Sequence, residues 1–327
     1  MYHIIINPAS RSGLGKQIWT QTIEPALSEK KLAYKAYFSK KPGDVALLAK
    51  KITTEYAQSV ASENTPSDAA ASLKEPCRLI ILGGDGTVNE ALQGIPTHTK
   101  VVIGYIPTGS SNDLARDMKI SKKPIEALDN ILSAEQHPEK ILPMDRGIAK
   151  FGNHERSFAV SCGIGFDAAV CAEAMSSKIK DTLNRLKLGK LTYLGIALKQ
   201  LFAAKPVSCD IYLDEKSPIH IRKILFAATM THCFEGGGFK FCPTADYTDG
   251  IFDLCVVGGI LKPIILFALP TAFFGKHFMF KGVDHYRAKQ VRIQTNRPLA
   301  LHTDGEYLGK FDSLEISCIP GDIYFIA

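Results

Sequence analysis

Residues Leu79 to Leu82 form an apolar run that ends in Gly83-Gly84-Asp85-Gly86-Thr87 and passes straight into Val88-Asn89-Glu90-Ala91-Leu92, a helix-like segment. A buried strand that turns through glycines into a helix with no intervening loop commits the chain to strand–helix packing. It also creates a site. Glycines carry no Cβ, so backbone N–H groups can approach phosphate oxygens, and a helix start favours anions. The lone carboxylate, Asp85, can face a metal ion or an ordered water, and Thr87 adds a hydroxyl. A tight strand-to-helix turn with no ligand would use the same glycines, so this motif alone leaves both readings open.

Two further strand ends have the same chemistry. Val101 to Ile106 reads as a second buried strand and ends in Pro107-Thr108-Gly109-Ser110-Ser111-Asn112-Asp113 before Leu114-Ala115-Arg116. His3 to Ile6 reads as a third. It is followed by Asn7-Pro8 and by Ser10-Arg11-Ser12-Gly13-Leu14-Gly15-Lys16. Such strand ends should converge at the carboxyl edge of one parallel sheet, where open α/β sheets bind ligands.

The surrounding pattern agrees. Helices are expected over about Leu14–Ser28, Val45–Gln58 and Pro124–Ser133, with Asp44 as a candidate cap and Ala33–Phe38 as a strand. Residues Ser62 to Glu75, rich in Ser, Ala, Thr and Pro, read as a surface loop. After about Ile141 the chain becomes β-rich: Ile148–Lys150, Arg156–Ser161, Val207–Leu213, Ile219–Thr229, Ile251–Val257, Gln290–Thr295 and Leu314–Ile319. Helical insertions are expected near Asp167–Ala204 and Lys262–Phe274. The expected fold class is therefore α/β plus all-β. A Rossmann-like three-layer domain with a parallel sheet would span 1–141, and an antiparallel β-sandwich 142–319.

Composition narrows the function classes. The chain has 327 residues, a 46% apolar fraction and a formal net charge of +6, enough for ordinary cores and compatible with an anionic partner. The first residues lack the basic segment and apolar length of a leader, so a cytoplasmic location is expected. Eight scattered cysteines form no C-x-x-C pair, which argues for thiols and against cysteine-ligated zinc. There is no H-E-x-x-H. Walker A is absent as well, since Gln17 follows Gly15-Lys16.

Asn7-Pro8 with Ser12-Gly13, the GGDGTVNE run at 83–90 and the PTGSSNDLAR run at 107–116 together resemble the diacylglycerol kinase catalytic-domain family. That family includes bacterial lipid kinases, sphingosine kinases and ceramide kinases. Pro143-Met144-Asp145-Arg146-Gly147 looks like the family's D-x-G strand. Gly236-Gly237-Gly238-Phe239 with Pro243, Ala245 and Asp249-Gly250 looks like its middle motif, and Thr303-Asp304-Gly305-Glu306 like its late DGE. The motifs stand in the family order and cover nearly the whole chain, without an added regulatory module.

The resemblance implies ATP and Mg²⁺ as cofactors and a lipid hydroxyl as acceptor, with diacylglycerol the first expectation. It places Asn7, Ser12, Gly13, Lys16, Ser39, Gly83, Gly84, Asp85, Gly86, Thr87, Thr108, Gly109, Ser110, Asn112, Asp113 and Asp145 around the nucleotide. Catalysis would fall to Asp85, Asp304 and Glu306. Asp304 would be the general base for the lipid hydroxyl, while Asp85 and Glu306 would order the catalytic Mg²⁺ directly or through water. Asp249 would bind a structural Mg²⁺ with the carbonyls of Asp246 and Ile251. The C-terminal tail, about 320–327, would return to the first domain. Plainer roles exist for several of these residues. Asp113 could be a helix N-cap and Asp145 a partner of Arg146. Lys16 could be a solvated helix lysine, Ser39 a turn residue and Asp304-Gly305 a type I′ hairpin.

A lipid acceptor implies contact with the inner membrane face. Residues 177–205 interleave Lys178, Lys180, Arg185, Lys187, Lys190, Lys199 and Lys205 with apolar residues at near-helical spacing. They suit either a bilayer surface or a helix packed on the sandwich with a solvated basic face. Pro263–Phe274 is apolar, shorter than the ~20 residues that span a bilayer, and interrupted by Pro270. It reads as a core helix or as the wall of a lipid-tail pocket. No nucleic-acid partner is expected, and a homodimer is compatible with the sequence. The competing readings are an NAD kinase, which shares GGDGT, and a non-catalytic lipid- or nucleotide-binding protein on the same scaffold.

Overall fold

The computed structural model describes residues 1–62, 76–176 and 189–327. The chain divides into two compact units, 1–146 with 320–327, and 147–319.

The first unit alternates strand and helix: β1 (Tyr2–Ile6), α1 (Ser10–Ile18), α2 (Glu24–Glu29), β2 (Tyr34–Phe38), α3 (Asp44–Ser62), β3 (Cys77–Gly83), α4 (Asp85–Gly94), β4 (Val101–Pro107), α5 (Asp113–Asp117) and α6 (Pro124–Ser133). β1 pairs in parallel with β2 and β3, and β3 with β4. Every residue of β4 is buried, as are six of the seven in β3. This two-sided burial is why both strands read as continuous apolar runs. The helix anticipated over Leu14–Ser28 is an α segment, a π turn at Trp19–Ile23 and a second α segment. Trp19 is buried and packs edge-on against Tyr34 and Phe38.

Asp44 does not cap α3 as anticipated. Its Oδ2 accepts the N–H groups of Lys40 and Lys41 in the preceding turn, and the Val45 N–H goes to Glu90 Oε1 at 3.0 Å. A carboxylate on α4 thus supplies the acceptor at the start of α3. The anticipated surface loop, 62–75, lies almost wholly outside the described residues.

β5 (Ile141–Phe151) runs from the first unit into the second. The second unit continues with β6 (His154–Phe158), β7 (Ser161–Gly165), α7 (Phe166–Ser176), α8 (Gly189–Ala203), β8 (Val207–Leu213), β9 (Ile219–Met230), β10 (Phe252–Gly258), α9 (Lys262–Ala272), β11 (Val283–Ala288), β12 (Gln290–Thr303) and β13 (Glu306–Ile326). Its strands pair antiparallel in the order β11-β10-β9-β7-β12-β13, and β8 pairs with both β9 and β12. β10 shows how the strands divide two cores. Phe252, Leu254 and Val256 enter one with Phe158, Ile293 and Leu314. Cys255 and Val257 face another, completed by Leu201 of α8 and Ile265 of α9. This is the period-2 alternation of a sheet buried on both faces.

Two strand features are not legible in the sequence. β11, Val-Asp-His-Tyr-Arg-Ala, sits at the end of the strand order and is polar on its exposed positions. β12 continues through Pro298 because its register shifts between Gln294 and Leu299, where an irregularity accommodates a residue with no N–H.

The last residues of β13 belong to the first unit, where Tyr324 and Phe325 pair in parallel with Val102 and Ile103 of β4. Among the described residues no helix is long and apolar enough to cross a membrane.

Candidate functional site

In the first unit, three strand ends are tied together by short polar bonds. Gly84 and Gly109 approach so closely that a Cβ on Gly109 would lie 2.7 Å from Gly84 Cα. A Cβ on Gly84 would in turn lie 3.1 Å from Gly109 Cα, so the two backbones leave little room for a side chain. The Thr108 N–H donates to Gly83 O at 2.6 Å, and the hydroxyls of Thr108 and Ser10 are 2.7 Å apart. Asn7 Nδ2 donates to Thr87 Oγ1 at 3.1 Å, and Thr87 Oγ1 also accepts the Gly84 N–H. The buried Thr87 hydroxyl, expected at the phosphates, is therefore built into the turn itself.

Asp85 joins two of these strand ends. Its Oδ2 accepts the Asp113 N–H at 2.9 Å, and Tyr105 Oη lies 3.3 Å from its Oδ1. Burial, then the Asp85 and Asp113 charges, raise Tyr105 well above its ordinary value, so the phenol stays a donor. Asp113 is not an N-cap. That position belongs to Asn112, which is left-handed at φ 49° and donates from Nδ2 to Gly109 O, while the Asp113 carboxylate pairs with Arg116. Near the start of α1, Arg11, Ser12 and Gly13 break the helical conformation with φ of 45°, 58° and 97°. Two consecutive non-glycine residues in this region carry local strain, of a kind that clusters at ligand-binding turns. Lys16 and Ser110 are exposed, and Ser39 is buried at the end of β2 with its N–H on Ile6 O.

Asp145 does not pair with Arg146. Its Oδ1 accepts the Gly321 N–H at 2.9 Å, whereas Arg146 Nε lies 2.7 Å from Asp322 Oδ2, both side chains 1% exposed. Burial lowers the Arg146 pKa, and Asp322 opposes that shift. Asp322 Oδ1 also accepts the His98 N–H. Asp145 and Arg146 thus anchor the returning tail.

In the second unit, Asp304 and Gly305 occupy the two-residue turn between β12 and β13, at φ 48° and 82°. These are type I′ signs. The turn is also a clamp: Asp304 Oδ1 accepts the Val160 and Ser161 N–H groups at 2.8 and 2.9 Å, and Oδ2 accepts that of Ala159 at 2.9 Å. Glu306 opens β13, half-buried.

Beneath the turn lies a buried acid–base cluster that motif reading did not single out. His302 Nε2 is 3.2 Å from Asp167 Oδ2 and 3.4 Å from Glu235 Oε1, and Ser161 Oγ donates to Glu235 Oε1 at 2.7 Å. Burial pushes Glu235 up to about 7, against the pull of His302. Burial lowers His302, but Glu235 and Asp167 outweigh it and raise the ring to about 9. The Gly305 N–H donates to His302 Nδ1 at 3.1 Å, which needs a lone pair there. In the neutral ring the proton therefore sits on Nε2, facing Asp167 and Glu235. The Gly236-Gly237-Gly238 loop, with all three φ positive, serves this cluster: it lets Glu235 and Phe239 exchange backbone hydrogen bonds and holds Glu235 in place. Its sequence signal was the glycine triplet beside a glutamate; His302 and Asp167 are far apart in sequence and gave none.

The expected structural cation meets a different arrangement. Asp249 Oδ2 pairs with Arg287, and Asp249 Oδ1 accepts the Ile251 N–H at 2.9 Å. Arg287 Nε also reaches Asp253 Oδ2 at 3.1 Å, and Asp253 Oδ1 is 2.6 Å from both His285 Nε2 and Thr244 Oγ1. Asp246 Oδ1 accepts the N–H and hydroxyl of Thr248. With a guanidinium already on the carboxylate, these residues do not fit a divalent ion ligated by the Asp249 side chain. Among the described residues no group of three or more His, Cys, Asp or Glu converges as a metal centre. The Asp85 turn is different. Its carboxylate is held in place by an N–H and a phenol, which fits contact with the water shell that Mg²⁺ usually keeps.

Known proteins share this organisation. A family model described as the diacylglycerol kinase catalytic domain matches residues 1–144, and one described as the YegS C-terminal NAD kinase beta sandwich-like domain matches 161–327. The chain is 30% identical over 320 residues to "Putative lipid kinase YtlR" of Bacillus subtilis (strain 168), covering 94% of each. It is 29% identical over 257 residues to a diacylglycerol kinase of Mycobacterium tuberculosis (strain ATCC 25618 / H37Rv), covering 77% of each. In fold it is similar to the "Crystal structure of a putative diacylglycerol kinase from Bacillus anthracis str. Sterne", with TM-score 0.70, 22% identity, and coverage of 99% and 96%.

Proposed function

The chain belongs to the diacylglycerol kinase catalytic-domain family, and from that premise we propose that it transfers the γ-phosphoryl group of Mg-ATP to a lipid hydroxyl, with diacylglycerol as the acceptor and phosphatidic acid as the product. The observation that carries the donor half is the contact between the Gly84 and Gly109 turns, bridged by Asp85 and the Asp113 N–H. Two turns without side chains, one opening a helix of ten residues, offer backbone donors to a polyphosphate.

Phosphoryl transfer depends mainly on positioning and charge neutralisation. Mg²⁺, when bound with the nucleotide, would neutralise phosphate charge. Asp85 would orient its water shell, and Glu306 is a further candidate for that role. The strained Arg11–Gly13 turn and Asn7 would border the nucleotide. Asp304, fixed by three backbone donors, would accept the hydroxyl proton as the acceptor oxygen bonds to phosphorus and the ADP oxygen leaves.

The test is a phosphorylation assay with labelled ATP against diacylglycerols, sphingoid bases, ceramide and NAD, read by mass spectrometry. The reading expects a labelled lipid alcohol with NAD untouched. Labelled NAD alone would make it an NAD kinase. Mg-ATP binding with no labelled acceptor would favour a non-catalytic binding protein.

A further inference from the structure

α9 is apolar on both sides. Its inner face, Ile265, Ala268 and Ala272, is buried. Its outer face carries Pro263, Ile264, Phe267 and Pro270, all exposed, and the chain then presents Phe273 and Phe274. Phe267 is 72% exposed, Phe274 76%, and the nearby Met279 75%. A helix apolar all round is ordinarily buried or set in a membrane, and this segment exposes an apolar face that neither a core helix nor the wall of a lipid-tail pocket, the two readings of its sequence, accounts for.

The charge along this stretch of chain has one sign. Between Asp253 and Asp284 the sequence has no Asp or Glu, while Lys262, Lys276 and Lys281 fall in that interval. Lys262 Nζ donates to the carbonyls of Phe202 and Ala204 at 2.7 Å each, which sets the exposed Phe202 of α8 beside the start of α9.

We propose that the outer face of α9, with Phe273 to Met279 and Phe202, docks on an anionic lipid bilayer. Aromatic rings beside lysines match the acyl boundary and the negative headgroups respectively. A second copy of the chain fits less well, because a self-complementary contact of residues 254–283 would set lysines against lysines with no carboxylate in that stretch. Eleven residues of helix reach roughly 16 Å, which suits lying in the interface rather than spanning. The proposal rests on the lipid-kinase reading for its purpose, because a lipid acceptor must be met in its bilayer.

The test is co-sedimentation of the full chain with phosphatidylglycerol/phosphatidylcholine vesicles, comparing wild type with Phe267→Asp/Phe274→Asp. The double variant should bind at least tenfold less, keep its thermal melt, and phosphorylate a water-dispersed short-chain diacylglycerol within twofold of wild type. In a Phe274→Trp variant, brominated lipids should quench emission on binding; the native Trp19 is buried in the other unit. Equal vesicle binding by the double variant, or vesicle-bound Phe274→Trp that brominated lipid does not quench, overturns the assignment. So does a concentration-dependent dimer that the double substitution abolishes without any vesicle binding. Lost vesicle binding in the variant with no lipid phosphorylated by either protein would support the docking surface while removing the kinase reading.

Discussion

Asp85-Gly86 and Asp304-Gly305 are the same dipeptide in two environments. Asp85 opens a helix after a buried parallel strand, and its carboxylate holds the next glycine turn through one N–H and faces one phenol. Asp304 turns a hairpin, and its carboxylate gathers three N–H groups from the link between β6 and β7 above a buried His–Asp–Glu cluster. The first is a spacer between glycine turns. The second is a clamp that gathers three backbone donors. An Asp-Gly pair is thus defined by what its neighbours donate rather than by the pair itself. Asp249-Gly250 is a third case, with its carboxylate neutralised by Arg287.

The largest expected effect tests the clamp. Asp304→Asn should lower turnover at least ~100-fold, the lower end of general-base contributions. It should also lower the melting temperature, because one amide oxygen replaces two carboxylate oxygens for three donors. Unchanged kcat in a folded variant would leave Asp304 a purely structural residue, and the two Asp-Gly sites would differ less than argued. At the other site, Gly109→Val should weaken ATP binding by tenfold or more in titration calorimetry, because a Cβ would press on Gly84 Cα. Wild-type affinity would show that the phosphates do not use this pair of turns.

The buried cluster sharpens the contrast through pH. Glu235 is raised to about 7 from 4.5 and His302 to about 9 from 6.5. A folded value above the unfolded one means stability that is full below the unfolded value and lost as pH rises through the folded one. Wild type should therefore lose the Glu235 contribution between about pH 4.5 and 7, and the His302 contribution, roughly 3 kcal/mol at most, between about pH 6.5 and 9. His302→Gln should flatten that window in denaturant titrations. Parallel curves for the two proteins would mean the ring keeps its ordinary proton affinity. The smallest effect concerns Asp249. EDTA should leave the wild-type melting temperature within about 1 °C, and Arg287→Gln should cost about 1 kcal/mol, as expected for a half-exposed pair. A drop of several degrees in EDTA would return a cation to that carboxylate.

Much of the fold was legible because burial writes itself into local pattern. The continuous apolar runs before Gly83 and Pro107 mark strands covered on both faces, and α6 falls on the residues expected for it, Pro124–Ser133. Edges and irregularities were not legible. β11 looks polar because one side has no neighbouring strand, and Pro298 hides the second half of β12. The glycine turns and Asp-Gly pairs were visible as candidates since their chemistry lies within a few residues. Their partners were not: the neighbouring Asp145 is only an alternative partner for Arg146 in the sequence, and Arg146 is found with Asp322, far along the chain.

By itself the sequence determined the strand–helix alternation, the glycine turns that meet at a sheet edge, and the order of motifs that places the chain in its family. These depend on local sterics and period, which any short window carries. Only the tertiary structure decided that Thr87 shapes its turn, that Arg287 neutralises Asp249, that Asp304 rests on three backbone donors and that α9 turns an apolar face outward. Each of those depends on which distant groups share a buried volume or are left without one, and contact across the chain is a property of the packed fold rather than of any window of residues.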